Sequence, residues 1–152
     1  MLIGLNVEKK LLTVELVPKG QWGTNLRSEL PKKDWDRLRK ACYVKADYCC
    51  EICNGKGHRH PVECHEIWHY DEETKTQRLD GLIALCPPCH QVKHIGRTMA
   101  IGKGDKAVRH IMKVNGWSEQ DVEHYLEGVF ETWHRRSGEQ WSLDISWLDT
   151  LQ

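Results

Sequence analysis

The chain has 152 residues and a mass of 17.7 kDa, with 22 basic residues matched by 22 acidic ones. A mean hydropathy of −0.63, with no apolar run near ~18 residues, excludes a helical membrane span. The balanced charge removes any whole-chain electrostatic argument for nucleic acid. Seven cysteines, an odd number, in a chain whose apolar start (Met1 to Val7) is broken by Glu8, Lys9 and Lys10 read as free thiols or metal ligands. A cytoplasmic, reducing setting is the corresponding expectation.

In chain order, Ile3, Leu5 and Val7 alternate, as do Leu12, Val14 and Leu16, which predicts a hairpin or two short strands. Pro18 to Ser28 is a loop containing Gly20, Trp22 and Gly23. From about Pro31 to Ala46, Trp35, Leu38, Cys42 and Ala46 follow helical spacing. Residues 49–95 lose simple periodicity and concentrate Cys, His, Gly and Pro. Asp105 is placed to cap a helix carrying Val108, Ile111 and Met112, stopped by Asn115-Gly116. Ser118, with Asp121 three residues on, opens a helix whose stripe is Val122, Tyr125, Leu126, Val129, Phe130 and Trp133. Trp141, Leu143, Ile145 and Trp147 alternate with polar residues and predict a last strand. The aromatic stripes are read as core, and only Trp22 and Trp68 fall outside them. One domain spanning 1–152 follows, with a Cys/His centre at about 48–96 between flanks at 1–47 and 97–152.

Charge is uneven along this neutral chain. Between His90 and Gly116, Lys93, Arg97, Lys103, Lys106, Arg109 and Lys113 face the single acid Asp105. From Trp117 to Gln152, eight acids face Arg135 and Arg136. A basic face beside an acidic one is the expected result.

Cys50-x2-Cys53 and Cys86-x2-Cys89 are two knuckles separated by 32 residues. Four thiolates at this spacing suit tetrahedral zinc, because each short loop turns two sulfurs toward one point. Cys49 would give an x3 spacing, which favours Cys50 as the ligand. A second group lies between and after the knuckles: His65 within Pro61–His69, and His90 and His94 at i and i+4. On a strand and a short helix, these three imidazoles converge into an open site for a divalent ion.

The order Cys50-x2-Cys53, Glu63-Cys64-His65-Glu66-Ile67, Leu82-Ile83-Ala84-Leu85-Cys86-x2-Cys89-His90 and His94 resembles the HNH endonuclease motif, also called the ββα-metal or His-Me finger. The resemblance covers about a third of the chain. It implies an α+β protein: a zinc-stabilised ββα-metal core with flanking N-terminal strands, helices and a C-terminal strand. It further implies hydrolysis of DNA phosphodiester bonds, with structural Zn²⁺ on Cys50, Cys53, Cys86 and Cys89. A catalytic Mg²⁺, Mn²⁺, Ni²⁺ or Zn²⁺ would sit at His65, His90 and His94. Two departures stand out. Gly81, beside Asp80, occupies the place of the motif's asparagine, and the first strand lacks a paired His-His. If His65-Glu66-Ile67 matches His-His-Ile, His65 is a ligand and Glu66 stands at the base position. If Cys64-His65 matches Asp-His, His65 is the base. The register of Ile67 favours the first alignment.

The partner implied is DNA, as a duplex, with Lys93, Arg97 and Lys103 expected on its phosphates; monomer or homodimer is left open. The alternative reading is a non-catalytic zinc module that binds nucleic acid or protein.

Overall fold

The computed structural model describes residues 10–151. The strand expected around Ile3, Leu5 and Val7 lies outside them. The described chain is mixed α and β, with six α-helices and one three-stranded sheet. Strands β1 (Glu63–Asp71) and β2 (Thr76–Leu85) form an antiparallel hairpin, and β3 (Ser142–Asp144) pairs parallel with the start of β2. The helices are α1 (Leu26–Glu29), α2 (Lys32–Lys45), α3 (Pro87–Lys93), α4 (Ile95–Ala100), α5 (Gly104–Asn115) and α6 (Glu119–Ser137). No helix among the described residues is long and apolar enough to cross a membrane.

Residues 10–18 do not form the second predicted strand. Leu12 is fully buried, but Val14 to Val17 are all half-buried, and residues 10–18 join no strand ladder. Their backbone groups go to side chains and a helix end instead. The Asn115 amide exchanges two hydrogen bonds with the Leu12 backbone, at 2.8 and 2.9 Å. The Val14 N–H donates to the Tyr125 hydroxyl, and the Glu15 N–H to the Lys93 carbonyl. This satisfies the backbone without a ladder. The segment is a strap across α3, α5 and α6.

Asn25 and Ser28 make a reciprocal capping box for α1, so a short helical turn interrupts the end of the loop expected over Pro18 to Ser28. Pro31 precedes α2, which buries Trp35 and Cys42 on one face. Asp105 lies in the first turn of α5, where a carboxylate favours the helix dipole, rather than at its cap. Gly116 ends α5 at φ 68, a left-handed value that favours glycine. Ser118 and Asp121 complete the expected capping box of α6. The last predicted strand is cut to three residues, because the Asp144 carboxylate accepts from the Ser146 N–H and the chain turns into a 3₁₀ helix, Ser146–Leu151. Trp147 then packs with Trp35 and Trp68 under the sheet.

Two cores result. Leu12, Val92, Ile95, Ile111 and Val122 join the strap to the helices, and the cysteines of both knuckles lie within this cluster. Leu26, Trp35, Trp68 and Leu79 form another, with Trp35 supplied by α2 and Trp68 and Leu79 by the sheet.

Candidate metal centre

The knuckles meet because the first is tied to the end of β2. The Glu51 N–H donates to the Ala84 carbonyl, and the Ala84 N–H returns a 2.7 Å bond to the Glu51 carboxylate. Ala84 is followed by Leu85 and Cys86, so this clasp sets the two loops side by side. Gly57 completes the arrangement. A Cβ there would lie 2.3 Å from the His60 carbonyl and 2.7 Å from Pro87, so only glycine lets the loop close on the start of α3.

Cys50, Cys53, Cys86 and Cys89 thereby bring their sulfurs within 4.8 Å of one another. Cys53 and Cys86 Sγ are 3.5 Å apart, near the roughly 3.8 Å edge of a tetrahedron with ~2.3 Å Zn–S bonds. Hydrogen bonds from Cys86 and Cys89 lower the Cys50 thiol, and sharing protons with that thiolate pushes Cys86 up to about 12. Four cysteine sulfurs this close together could hold a cation that displaces the thiol protons, and the donor set fits zinc. Cys49 stands apart, its thiol on the Asp47 carbonyl. His110, on α5, places Nε2 3.1 Å from Cys89 Sγ, a contact its helical position did not announce.

The histidines converge as their spacing suggested. His65 comes from β1, His90 from α3 and His94 from the α3–α4 junction. Their ring centroids lie 4.8 to 5.3 Å apart, and one nitrogen from each falls within the same 4.8 Å limit. His65 is only 2% exposed. Burial, then the neighbouring His65 and His90, hold His94 down to about 3, so it is a neutral imidazole at neutral pH.

Two carboxylates bracket this group. Glu15 contacts His65 Nε2, and Glu63 contacts His90 Nδ1. Each takes one ring nitrogen, so the other is the one that could face an ion. His65 Nδ1 is buried and has no hydrogen-bond partner. A histidine whose outer N–H is held by a carboxylate is the usual partner arrangement of a metal ligand. Sequence reasoning missed both acids. Glu63 was legible in principle, since residues two apart on a strand share a face. Glu15 was not, because only the strap brings it there.

Glu66 and Arg97 line the same cavity as the three histidines, which measures about 810 Å³. One oxygen of Glu66 is anchored by the Leu26 N–H at 3.1 Å. Lys103 is exposed but outside the cavity lining. Lys93 requires a correction. It is 7% exposed, its ammonium donates to Thr13 Oγ1, and burial pushes its pKa down, so it braces the strap and is no phosphate contact. Arg27, which sequence reasoning passed over, faces the cavity instead.

Comparison of the chain with protein-family models, curated proteins and solved structures gave no match.

Proposed function

We propose that this protein is a metal-dependent nuclease that hydrolyses DNA phosphodiester bonds, its β1–β2–α3 unit serving as a zinc-stabilised ββα-metal core. One observation carries the reading: three imidazoles converge on an open cavity, two held by carboxylates, with the buried His65 Nδ1 unpartnered. The motif order that resembles the HNH family supports it. In this reading His65, His90 and His94 would hold a divalent ion, which would supply Lewis-acid charge to a phosphate lying in the cavity. Glu15 and Glu63 keep His65 and His90 oriented. Glu66, anchored through one oxygen, takes the proton of the attacking water through the other. Arg97 steadies a flanking phosphate, a contact that positions the strand without reading its sequence.

Incubating supercoiled plasmid with the protein and Mg²⁺, Mn²⁺ or Ni²⁺ checks this directly. Nicked or linear product is expected, and Glu66→Gln should slow the rate by roughly 10²- to 10⁴-fold with ion affinity retained. Intact plasmid with every ion would reject the activity. Gly81, in the place of the motif's asparagine, favours a second reading as a non-catalytic binding module. That reading predicts nucleic-acid binding in the same experiment with no product.

A further inference from the structure

The cavity beside the histidines extends to an aromatic surface that the proposed chemistry does not use. Trp22 is 61% exposed, yet it is not a loose side chain. Its indole stacks on Trp133, with centroids 6.1 Å apart and planes 18° from parallel. Both indole N–H groups donate to one acceptor, the Val17 carbonyl, at 2.9 and 3.0 Å. The polar edges of the pair are therefore satisfied inside the protein, and one face of Trp22 is held open to solvent. An exposed tryptophan fixed in orientation is a platform for another flat ring.

Trp22, Trp133, Arg27, Arg97 and His94 line one continuous cavity. Arg27 and Arg97 form no ion pair with any acid among the described residues. Flat aromatic surface, guanidinium groups without an acidic partner (Arg27 over the Trp35 ring) and a candidate cation site along one channel match the alternating parts of a nucleotide chain. A base inside a duplex has both faces covered by its neighbours, so Trp22 can take an unpaired base but not an internal base pair.

We propose that Trp22, backed by Trp133, stacks an unpaired base of the nucleic-acid strand whose phosphate lies at the histidine cluster, so that the substrate class is a single-stranded or locally unpaired strand. This rests on the nuclease reading for the position of the phosphate, but the stacking contact is measurable without cleavage.

The test uses the full chain with its zinc and no added divalent ion. Binding of a single-stranded oligothymidylate of about twelve nucleotides is followed by tryptophan fluorescence and by anisotropy, beside a duplex of equal length. The single strand should quench the fluorescence and bind more tightly than the duplex. Trp22→Ala should weaken single-strand binding by about 5- to 150-fold, the range expected for removing one base stack, and leave duplex binding unchanged. Trp22→Phe, which keeps an aromatic face, should retain most of the affinity. An oligouridylate arm reports whether DNA or RNA is preferred.

Equal affinity for single strand and duplex would overturn the proposal, as would single-strand binding unaltered in Trp22→Ala. A concentration-dependent dimer that Trp22→Ala abolishes and the oligonucleotide does not dissociate would also overturn it, by assigning the face to a second copy. Trp22-dependent single-strand binding without plasmid cleavage under any ion would keep the platform and remove the nuclease. Plasmid cleavage unaffected by Trp22→Ala, with no single-strand preference, would do the reverse.

Discussion

Glu15 and Glu63 give the histidine cluster its asymmetry. His65 and His90 each spend one nitrogen on a carboxylate, whereas His94 is kept neutral mainly by burial. Glu63 is itself held down at about 2, chiefly by its hydrogen bond from His90, so it is a carboxylate throughout the physiological range. Removing a ligand and removing its orienting acid should therefore differ in size. His65→Ala should abolish tight binding of one Mn²⁺ or Ni²⁺ in a calorimetric titration. Glu15→Gln should only weaken it, by about 10- to 100-fold, the usual effect of removing an outer partner. Equal affinity in Glu15→Gln and wild type would show that Glu15 does no more than pin the strap to β1.

At the scale of elements, α3 couples the two candidate metal groups, because Cys89 and His90 are consecutive residues on it. Zinc at the knuckles would fix the first turn of α3 and with it the direction of His90. If the knuckles hold zinc, Cys86→Ser/Cys89→Ser should lose it, raise hydrogen exchange across residues about 49–95, and weaken ion binding at the histidines as well. Full zinc occupancy in that double variant, read by metal analysis, would contradict the assignment. A second junction joins the β1–β2 turn to the end of α6. Glu72 accepts from Arg135 and Arg136, which hold its carboxyl at about 2 against an ordinary 4.5. A depressed carboxylate adds stability above its unfolded value and loses it as pH falls through the folded one. Thermal melts of Glu72→Gln should thus show a deficit of about 1 kcal/mol or less at neutral pH, small because the pair is over a third exposed. That deficit should shrink below pH 4.5. A deficit that grows on acidification would mean the pair is not the cause.

Across the whole molecule, net neutrality conceals the division between the basic stretch 93–113 and the acidic chain beyond it. Burial of Lys93 shifts the candidate phosphate-binding side chains to Arg97 and Lys103, with Arg27 arriving from the opposite end of the chain. Reversing Arg97 and Lys103 to glutamate should weaken DNA binding and flatten its dependence on salt, by about one unit of log–log slope for each phosphate no longer neutralised. Lys93→Gln should leave that slope unaltered and reduce thermal stability. An unchanged slope in the Arg97/Lys103 variant would place the nucleic-acid face elsewhere.

Local spacing alone carried a good deal of this protein. The Cys-x2-Cys knuckles, the i, i+4 pair His90 and His94, the capping box at Ser118 and the stop at Gly116 are short-range patterns, and short-range geometry decides them. Alternation failed at residues 10–18 and beyond Asp144, because it reads side-chain polarity and not where the backbone groups find their hydrogen-bond partners. What only the tertiary structure decided are contacts between segments far apart in the chain. Glu15 reaches His65 across 50 residues, Lys93 turns inward to Thr13 across 80, and Trp22 meets Trp133 through a shared carbonyl at Val17. No window of sequence contains both members of such a pair. The strap that creates them is held by backbone hydrogen bonds to side chains, which leave no periodic trace.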